Sequence, residues 1–264
     1  MHYKTNNLSG KFGIDYKLDG GNLLYANYSR GYRAKSFNAQ AFFDPSELSI
    51  AKPESVDAFE LGAKTQFADR RVTLNMAAFY YKYRNQQFIN ISPSTAAQTL
   101  ENIPRSRILG GEAELTARAS DNLTLRAGVG LLDTKIQQGI VSGVNVAGNK
   151  LSNAPSLTFN GGFDVTAFDT GAGKLSLHGD LAYSASQYFE VINIPRLKQH
   201  SYALLSGHID WESANGRWNA SIWGKNLTNK FYFTSRVDLL AGFGFDYNHI
   251  SAPRTYGITV GVKY

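Results

Sequence analysis

His178 and His208 are the side chains best suited to hold a metal ion, and Ser176 and Ser206 offer hydroxyls near them. A structural or catalytic zinc site takes three or four protein ligands, so two histidines on neighbouring hairpins do not make one, and no metal is expected. A serine nucleophile needs a base aimed at it, and Ser176 or Ser206 with His178 is a weak pairing of that kind. Glu112 and Glu114 resemble the paired acids of general acid–base catalysis. Their spacing of two places them on one side of any strand automatically, so solvated lumen charge is the better reading. Gly171-Ala172-Gly173-Lys174 imitates a phosphate-binding loop but lacks its spacing and following helix, and it reads as a hairpin turn. Gly128-Val129-Gly130 sits inside a strand pattern rather than at a strand-to-helix turn. The chain has no cysteine, which excludes disulfides, thiolate metal sites and a cysteine nucleophile. No catalytic residue, metal or cofactor is therefore expected, and the chain reads as a non-enzyme.

The elements carrying these residues are strands. Over 264 residues, 43% are hydrophobic, 13% aromatic and 18% charged, with 25 glycines and a net charge of +6. No apolar run is long enough for a membrane-spanning helix, and the aromatic and β-branched content argues against disorder. The basic residues are dispersed rather than gathered into a stripe, so no nucleic-acid partner is expected. Alternation with period two dominates. Leu157, Phe159, Gly161, Phe163 and Val165 share one face, opposite Thr158, Asn160, Gly162, Asp164 and Thr166. The same pattern sets Leu109 to Ala117 against Glu112, Glu114 and Arg118, and Tyr256 to Tyr264 against Thr255 to Lys263.

The expected strands are 10–18, 23–32, 55–67, 71–88, 106–119, 123–134, 156–168, 174–187, 201–212, 217–226 and 254–264. Short turns at 19–21, 68–70, 120–122, 169–173 and 213–216 alternate with long connections at 33–54, 92–105, 136–154, 189–200 and 228–253. A soluble barrel or sandwich could show the same alternation, but its strands average only about five or six residues and its loops are not sorted by length, so the pattern favours an outer-membrane β-barrel. A bilayer leaves no water for backbone amides, so only helices and closed barrels cross it. Glu60, Lys64, Glu112, Glu114, Arg118, Arg126, Asp164, His178, Asp180, His208 and Asp210 all fall on the polar face, toward a lumen. Tyr28, Phe67, Phe79, Tyr80, Tyr83, Trp211, Trp218 and Tyr264 suit the interfacial aromatic girdles. Eleven strands is an odd number, whereas bacterial single-chain barrels have an even one. The expectation is that further strands, and a signal peptide that the opening Met1 to Asn6 does not provide, belong on the N-terminal side.

Several segments, in order, resemble TonB-dependent outer-membrane receptors. They are Tyr25-Ala26-Asn27-Tyr28-Ser29-Arg30-Gly31-Tyr32-Arg33-Ala34; Lys52-Pro53-Glu54 leading to Phe59-Glu60-Leu61-Gly62-Ala63-Lys64; Gly110-Gly111-Glu112-Ala113-Glu114; Trp223-Gly224-Lys225-Asn226-Leu227-Thr228-Asn229-Lys230; and Ala252-Pro253-Arg254-Thr255-Tyr256-Gly257 running to Tyr264. The resemblance implies an all-β, antiparallel transmembrane barrel portion, about 11 up-and-down strands of a 22-stranded barrel filled by a plug. Residues 1–264 are then a single, incomplete domain, the C-terminal half of the barrel, without plug, TonB box or signal peptide. A natural half-length protein is the second possibility.

The implied function is TonB-energised uptake of a scarce ligand, most often a ferric siderophore, across the cell outer membrane of a Gram-negative bacterium. Partners implied are outer-membrane lipid and lipopolysaccharide, the ferric ligand, the TonB complex through the plug, and the barrel-assembly machinery through the strand ending at Tyr264. Basic residues outnumber acidic ones in the inferred extracellular segments, among them Arg30, Arg33, Lys35, Lys82, Arg84, Arg105, Arg107, Arg196, Lys198, Arg236 and Arg254. Such a ring attracts an anionic ferric complex, or pairs with lipopolysaccharide phosphates. Loop aromatics, including Phe37, Phe42, Phe43, Phe88, Tyr188 and Phe243, offer stacking surfaces. The candidate ligand-binding set is Arg30, Arg33, Phe37, Tyr81, Tyr83, Arg84, Phe88, Tyr188, Arg236 and Phe243. A small passive channel and an outer-membrane hydrolase barrel remain the alternatives.

Overall fold

The computed structural model describes residues 7–38 and 45–263. Eleven antiparallel strands form one sheet in chain order, each paired with the next. They are β1 (Gly10–Leu18), β2 (Asn22–Arg33), β3 (Glu54–Phe67), β4 (Val72–Ile91), β5 (Gln98–Arg118), β6 (Leu123–Gln138), β7 (Leu157–Thr170), β8 (Gly173–Ser184), β9 (Tyr202–Glu212), β10 (Trp218–Lys225) and β11 (Thr255–Val262). No helix is long and apolar enough to cross a membrane among the described residues. The sheet is open there: β1 pairs only with β2, and β11 only with β10.

Register turns the period-two pattern into two surfaces. One continuous row runs Tyr16, Leu24, Ala63, Met76, Ala113, Val129 and Phe159 across seven strands. Ile14, Ala26, Leu61, Ala78, Gly111, Leu131 and Leu157 form the row beside it. The larger of these side chains are exposed, Tyr16 and Leu61 each at 64%, and Ile258 on β11 continues the face at 72%. An exposed apolar face this broad exceeds the patches that soluble monomers carry, and hydrocarbon is the solvent that suits it. The other face carries Lys64, Asn75, Glu114, Gly128 and Asn160 in a single row. Gly110 faces the Phe79 ring there, and a Cβ on it would lie 2.4 Å from that ring; the lost side chain makes room for the aromatic.

At one end the connections are tight. Asp19–Gly21 is a single 3-10 turn, and Ala68, Asp69 and Arg70 all adopt positive φ between 52° and 63°. At the other end, several connections expected to be long loops carry order of their own. The segment near 92–105 is largely strand, because β4 and β5 continue as a ladder to Ile91↔Gln98. The connection 228–253 contains a second hairpin, Phe233–Leu239 with Phe245–Ile250. Between β6 and β7, Ile140–Val141 pairs with Val144–Asn145.

Strand parity revises the girdle. Tyr28, Phe59 and Tyr80 share a row on the apolar face, but Phe79 pairs with Glu60 and Tyr83 lies two positions beyond Tyr81 on that same polar side. Phe79 and Tyr83 therefore face the lumen rather than the lipid interface. Tyr264 lies outside the described residues.

The Asn226–Lys230 motif has a local cause. Asn226 adopts φ 50°, its Oδ1 accepts the Lys230 N–H at 2.8 Å, and its Nδ2 donates to the Lys230 carbonyl at 2.9 Å. Asparagine tolerates the left-handed region and bonds its own backbone, so this side chain closes the chain as it leaves β10.

Candidate functional site

The fully buried apolar cluster lies at the long-loop ends of the strands and in the connections that follow them. Ile103, Ile136, Val141, Val146, Leu151 and Val191 form one cluster, with Phe88 packed against it. Asparagines stitch the loops around it. Asn149 Nδ2 donates to the Val191 and Ile192 carbonyls at 3.0 and 2.9 Å, and Asn193 Oδ1 accepts the Lys150 N–H at 2.8 Å. The loops are thus a packed body with fixed clefts.

One cleft of about 300 Å³ is lined by Phe88, Asn90, Asn153, Phe189, Glu190 and Arg236, among others. It gathers residues from β4, the β6–β7 connection, the β8–β9 connection and the second hairpin. The Arg236 guanidinium sits 4.3 Å from the centroid of the Phe233 ring. Its Nε donates to Asn248 Oδ1 at 2.6 Å and its Nη1 to the Arg196 carbonyl at 2.7 Å. Arg196 itself is ion-paired to Asp238 and Asp246. Burial pushes the Glu190 carboxyl above its usual range; the Asp238 N–H, donated to Oε1 at 3.0 Å, acts against this, while the Asp238 charge adds to it. Glu190 was not among the residues expected at a site, and a lone Glu in a loop carries no signal that would have selected it.

A second cleft holds Tyr188 with Lys150, Asn149, Asn193, Gln187 and Lys198. Lys198 Nζ stands 5.5 Å above the Tyr188 ring, a cation–π arrangement.

The remaining candidates separate by face. Tyr81 and Tyr83 project from the polar side of β4, with Phe79 and Tyr81 stacked at 5.0 Å. Arg33 reaches Glu54 at 3.8 Å, and Glu54 also accepts the Gln87 N–H at 2.9 Å. Arg30 and Arg84 continue the apolar-face rows instead, and both converge on Asp57 at 3.3 and 3.7 Å, where Tyr28 donates its hydroxyl at 2.9 Å. Lys82, Arg107 and Lys135 are directly paired on that same side. Phe37 is 73% exposed on the short ladder with Ile50–Ala51, away from both clefts. Phe243 is exposed in the turn of the second hairpin, next to Gly242, whose N–H donates to the Pro93 carbonyl at 3.0 Å. Of the ten candidates, the structure brings Phe88 and Arg236 into one cleft and Tyr188 into the adjoining one. Phe42 and Phe43 lie outside the described residues.

Comparison with known proteins accords with this geometry. Residues 2–227 match a family model described as TonB dependent receptor-like, beta-barrel. The chain is 24% identical over 270 residues to the ferric-pyoverdine M114 receptor PbuA of Pseudomonas sp., covering 99% of this chain and 30% of that protein. It is 29% identical over 129 residues to a probable TonB-dependent siderophore receptor, PiuA of Acinetobacter baumannii, covering 47% of this chain and 17% of that one. The ferric yersiniabactin uptake receptor FyuA of Yersinia pestis superposes with a TM-score of 0.79 at 22% identity, over 97% of this chain and 37% of FyuA. The chain therefore spans less than a third of the length of either curated relative.

Proposed function

The chain belongs to the TonB-dependent receptor β-barrel family, an outer-membrane family of receptors rather than enzymes, and on that premise we propose that it forms the C-terminal part of the barrel of a ferric-siderophore importer. The observation that carries this reading is the loop cleft that Phe88, Phe189 and Arg236 line together. Aromatic rings and a guanidinium in one cleft suit an anionic chelate that carries planar donor groups: the rings stack on those groups and the cation offsets the charge. Tyr188, Lys150 and Lys198 extend the same chemistry into the adjoining cleft. Below the loops, Tyr81, Tyr83 and Arg33 offer polar contacts down the lumen wall. The open sheet supports a place within a larger barrel, since an unpaired edge in lipid leaves backbone groups unsatisfied. It also argues against a passive channel built from these strands alone.

Import energised by TonB through a plug, and assembly through a C-terminal strand ending at Tyr264, are part of the same proposal and rest on family membership. The outward set Lys82, Arg107 and Lys135 is proposed to meet lipopolysaccharide phosphates, as is the Arg30–Arg84–Asp57 cluster. Both sit just beyond the apolar band, where lipid headgroups lie.

The test is uptake of radioactive iron by a strain whose only siderophore receptor is this protein. It is supplied in turn with ferric hydroxamate, catecholate and mixed-ligand siderophores. Uptake of at least one, reduced in Phe88→Ala and Arg236→Ala, is expected. Failure with every ferric siderophore, alongside growth on haem or cobalamin, overturns the substrate class.

A further inference from the structure

On the polar face, near the short-turn end of the wall, four side chains from three adjacent strands converge. Asp164 of β7, His178 of β8 and His208 of β9 are successive cross-strand partners. Asp210, two positions along β9, projects on the same side. His178 Nε2 and His208 Nε2 each lie 3.2 Å from one oxygen of Asp210, Oδ2. We propose that His178, His208 and Asp210 form a binding site for a divalent first-row transition-metal ion, of which Zn²⁺ and Co²⁺ are the representative probes.

Three observations carry it. First, donor spacing: around a tetrahedral ion with bonds of about 2.0–2.2 Å, neighbouring ligand atoms stand about 3.3–3.5 Å apart. Both imidazole nitrogens already hold nearly that distance from the carboxylate oxygen, and all the ligand atoms lie within 4.8 Å of one another. Second, donor type: two imidazoles and one carboxylate suit Zn²⁺ and its neighbours, and not the all-oxygen preference of Mg²⁺ or Ca²⁺. Third, support: the far nitrogen of His178, Nδ1, is bonded to Asp164, which is held in turn by Arg126. A carboxylate behind a ligating histidine fixes the ring and raises its basicity, the usual outer arrangement of a metal-bound imidazole.

The two rings stack at 4.2 Å with 13° between their planes, so binding requires them to splay until both in-plane lone pairs meet the ion. Side-chain exposures of 23% and 41% leave room for that turn. The fourth position opens to the lumen, where water completes the shell. This site needs only the register of three strands and sits far along the wall from the loop clefts, so it stands whether or not the imported ligand is a siderophore.

The experiment uses the protein purified from outer membranes in detergent, stripped with a chelator and titrated with Co²⁺. It follows the visible d–d bands and then displacement by Zn²⁺. Wild type should show tetrahedral-type bands and bind below about 1 mM. His208→Ala and Asp210→Asn should each weaken binding by at least roughly tenfold, and Asp164→Asn by roughly 10- to 100-fold with the band pattern retained. His249→Ala, a histidine of the second hairpin, should change nothing. Heat-modifiable gel mobility verifies that each variant is folded. Absence of Co²⁺ bands in the wild type, or unchanged affinity in folded His208→Ala, overturns the site.

Discussion

Met76 and Asn75 are neighbours in β4 with opposite surroundings, and replacing each by arginine separates a lipid-facing wall from any water-soluble one. Met76 lies four residues from Val72 at the short turn and four from Tyr80 in the aromatic row. At about 3.3 Å per residue and a tilt of about 40°, that is roughly 10 Å from each, close to the middle of an apolar band about 25 Å tall. Its partners are Ala63 and Ala113, and it is 43% exposed. An arginine there has no polar neighbour in its row and costs about 2–4 kcal/mol at the midplane. This is roughly a 30- to 900-fold loss in the folding equilibrium. Asn75 stands between Lys64 and Glu114 on the polar face. Asn75→Arg gains a carboxylate neighbour and a like charge in water, with a net effect of less than about 1 kcal/mol. Guanidinium titration of the protein in lipid vesicles, followed by tryptophan fluorescence, measures both. Equal costs for the two variants, or a larger cost for Asn75→Arg, would refute the assignment of faces.

Further outcomes are expected in the loops. Arg196→Ala leaves Asp238 and Asp246 without their shared cation; because Arg196 is 39% exposed, the loss is about 1 kcal/mol. It should appear as faster amide exchange confined to residues 233–250. Glu190 has a raised pKa, so its contribution to loop docking is full below its unfolded pKa and is lost as pH rises through the higher folded value. Exchange in the second hairpin should therefore quicken over that window in wild type and less so in Glu190→Gln. A Cβ at Gly242 would meet the Ser94 carbonyl oxygen at 1.9 Å. Gly242→Ala should detach the hairpin tip from the β4–β5 turn, exposing it to limited proteolysis while the strands stay protected.

Most of the sheet was legible because lipid and water impose strict alternation on each strand. Leu157 to Val165 displays it without exception, and β7 follows it across its whole pairing with β6. Beyond the lipid, that constraint ends. Ile103 and Ser106 are both 1% exposed although they stand three apart in β5, since packed loops cover both sides of the ladder. This is why the continuation of β4 and β5 read as a loop. Phe79 and Tyr83 were misplaced by treating aromatics near strand ends as girdle residues, although parity with Glu60 already assigned them to the lumen. The meeting of Phe88 with Arg236 depends on how four loops fold over one another, and no local pattern encodes it. At the histidine cluster, the common face of His178, His208 and Asp210 was readable from alternation. The support of His178 by Asp164 required the register between β7 and β8, which the turn at Gly171–Ala172 and the register shift between Thr166 and Phe168 set together.

The chain contains no cysteine, so single cysteines introduced one at a time from Leu157 to Thr166 can carry a nitroxide without background. In lipid vesicles, oxygen should relax the probes at 157, 159, 161, 163 and 165 most strongly, and a water-soluble chromium complex those at 158, 160, 162, 164 and 166. A scan without that two-residue beat, or with the two relaxants exchanged, would contradict the bilayer-facing wall.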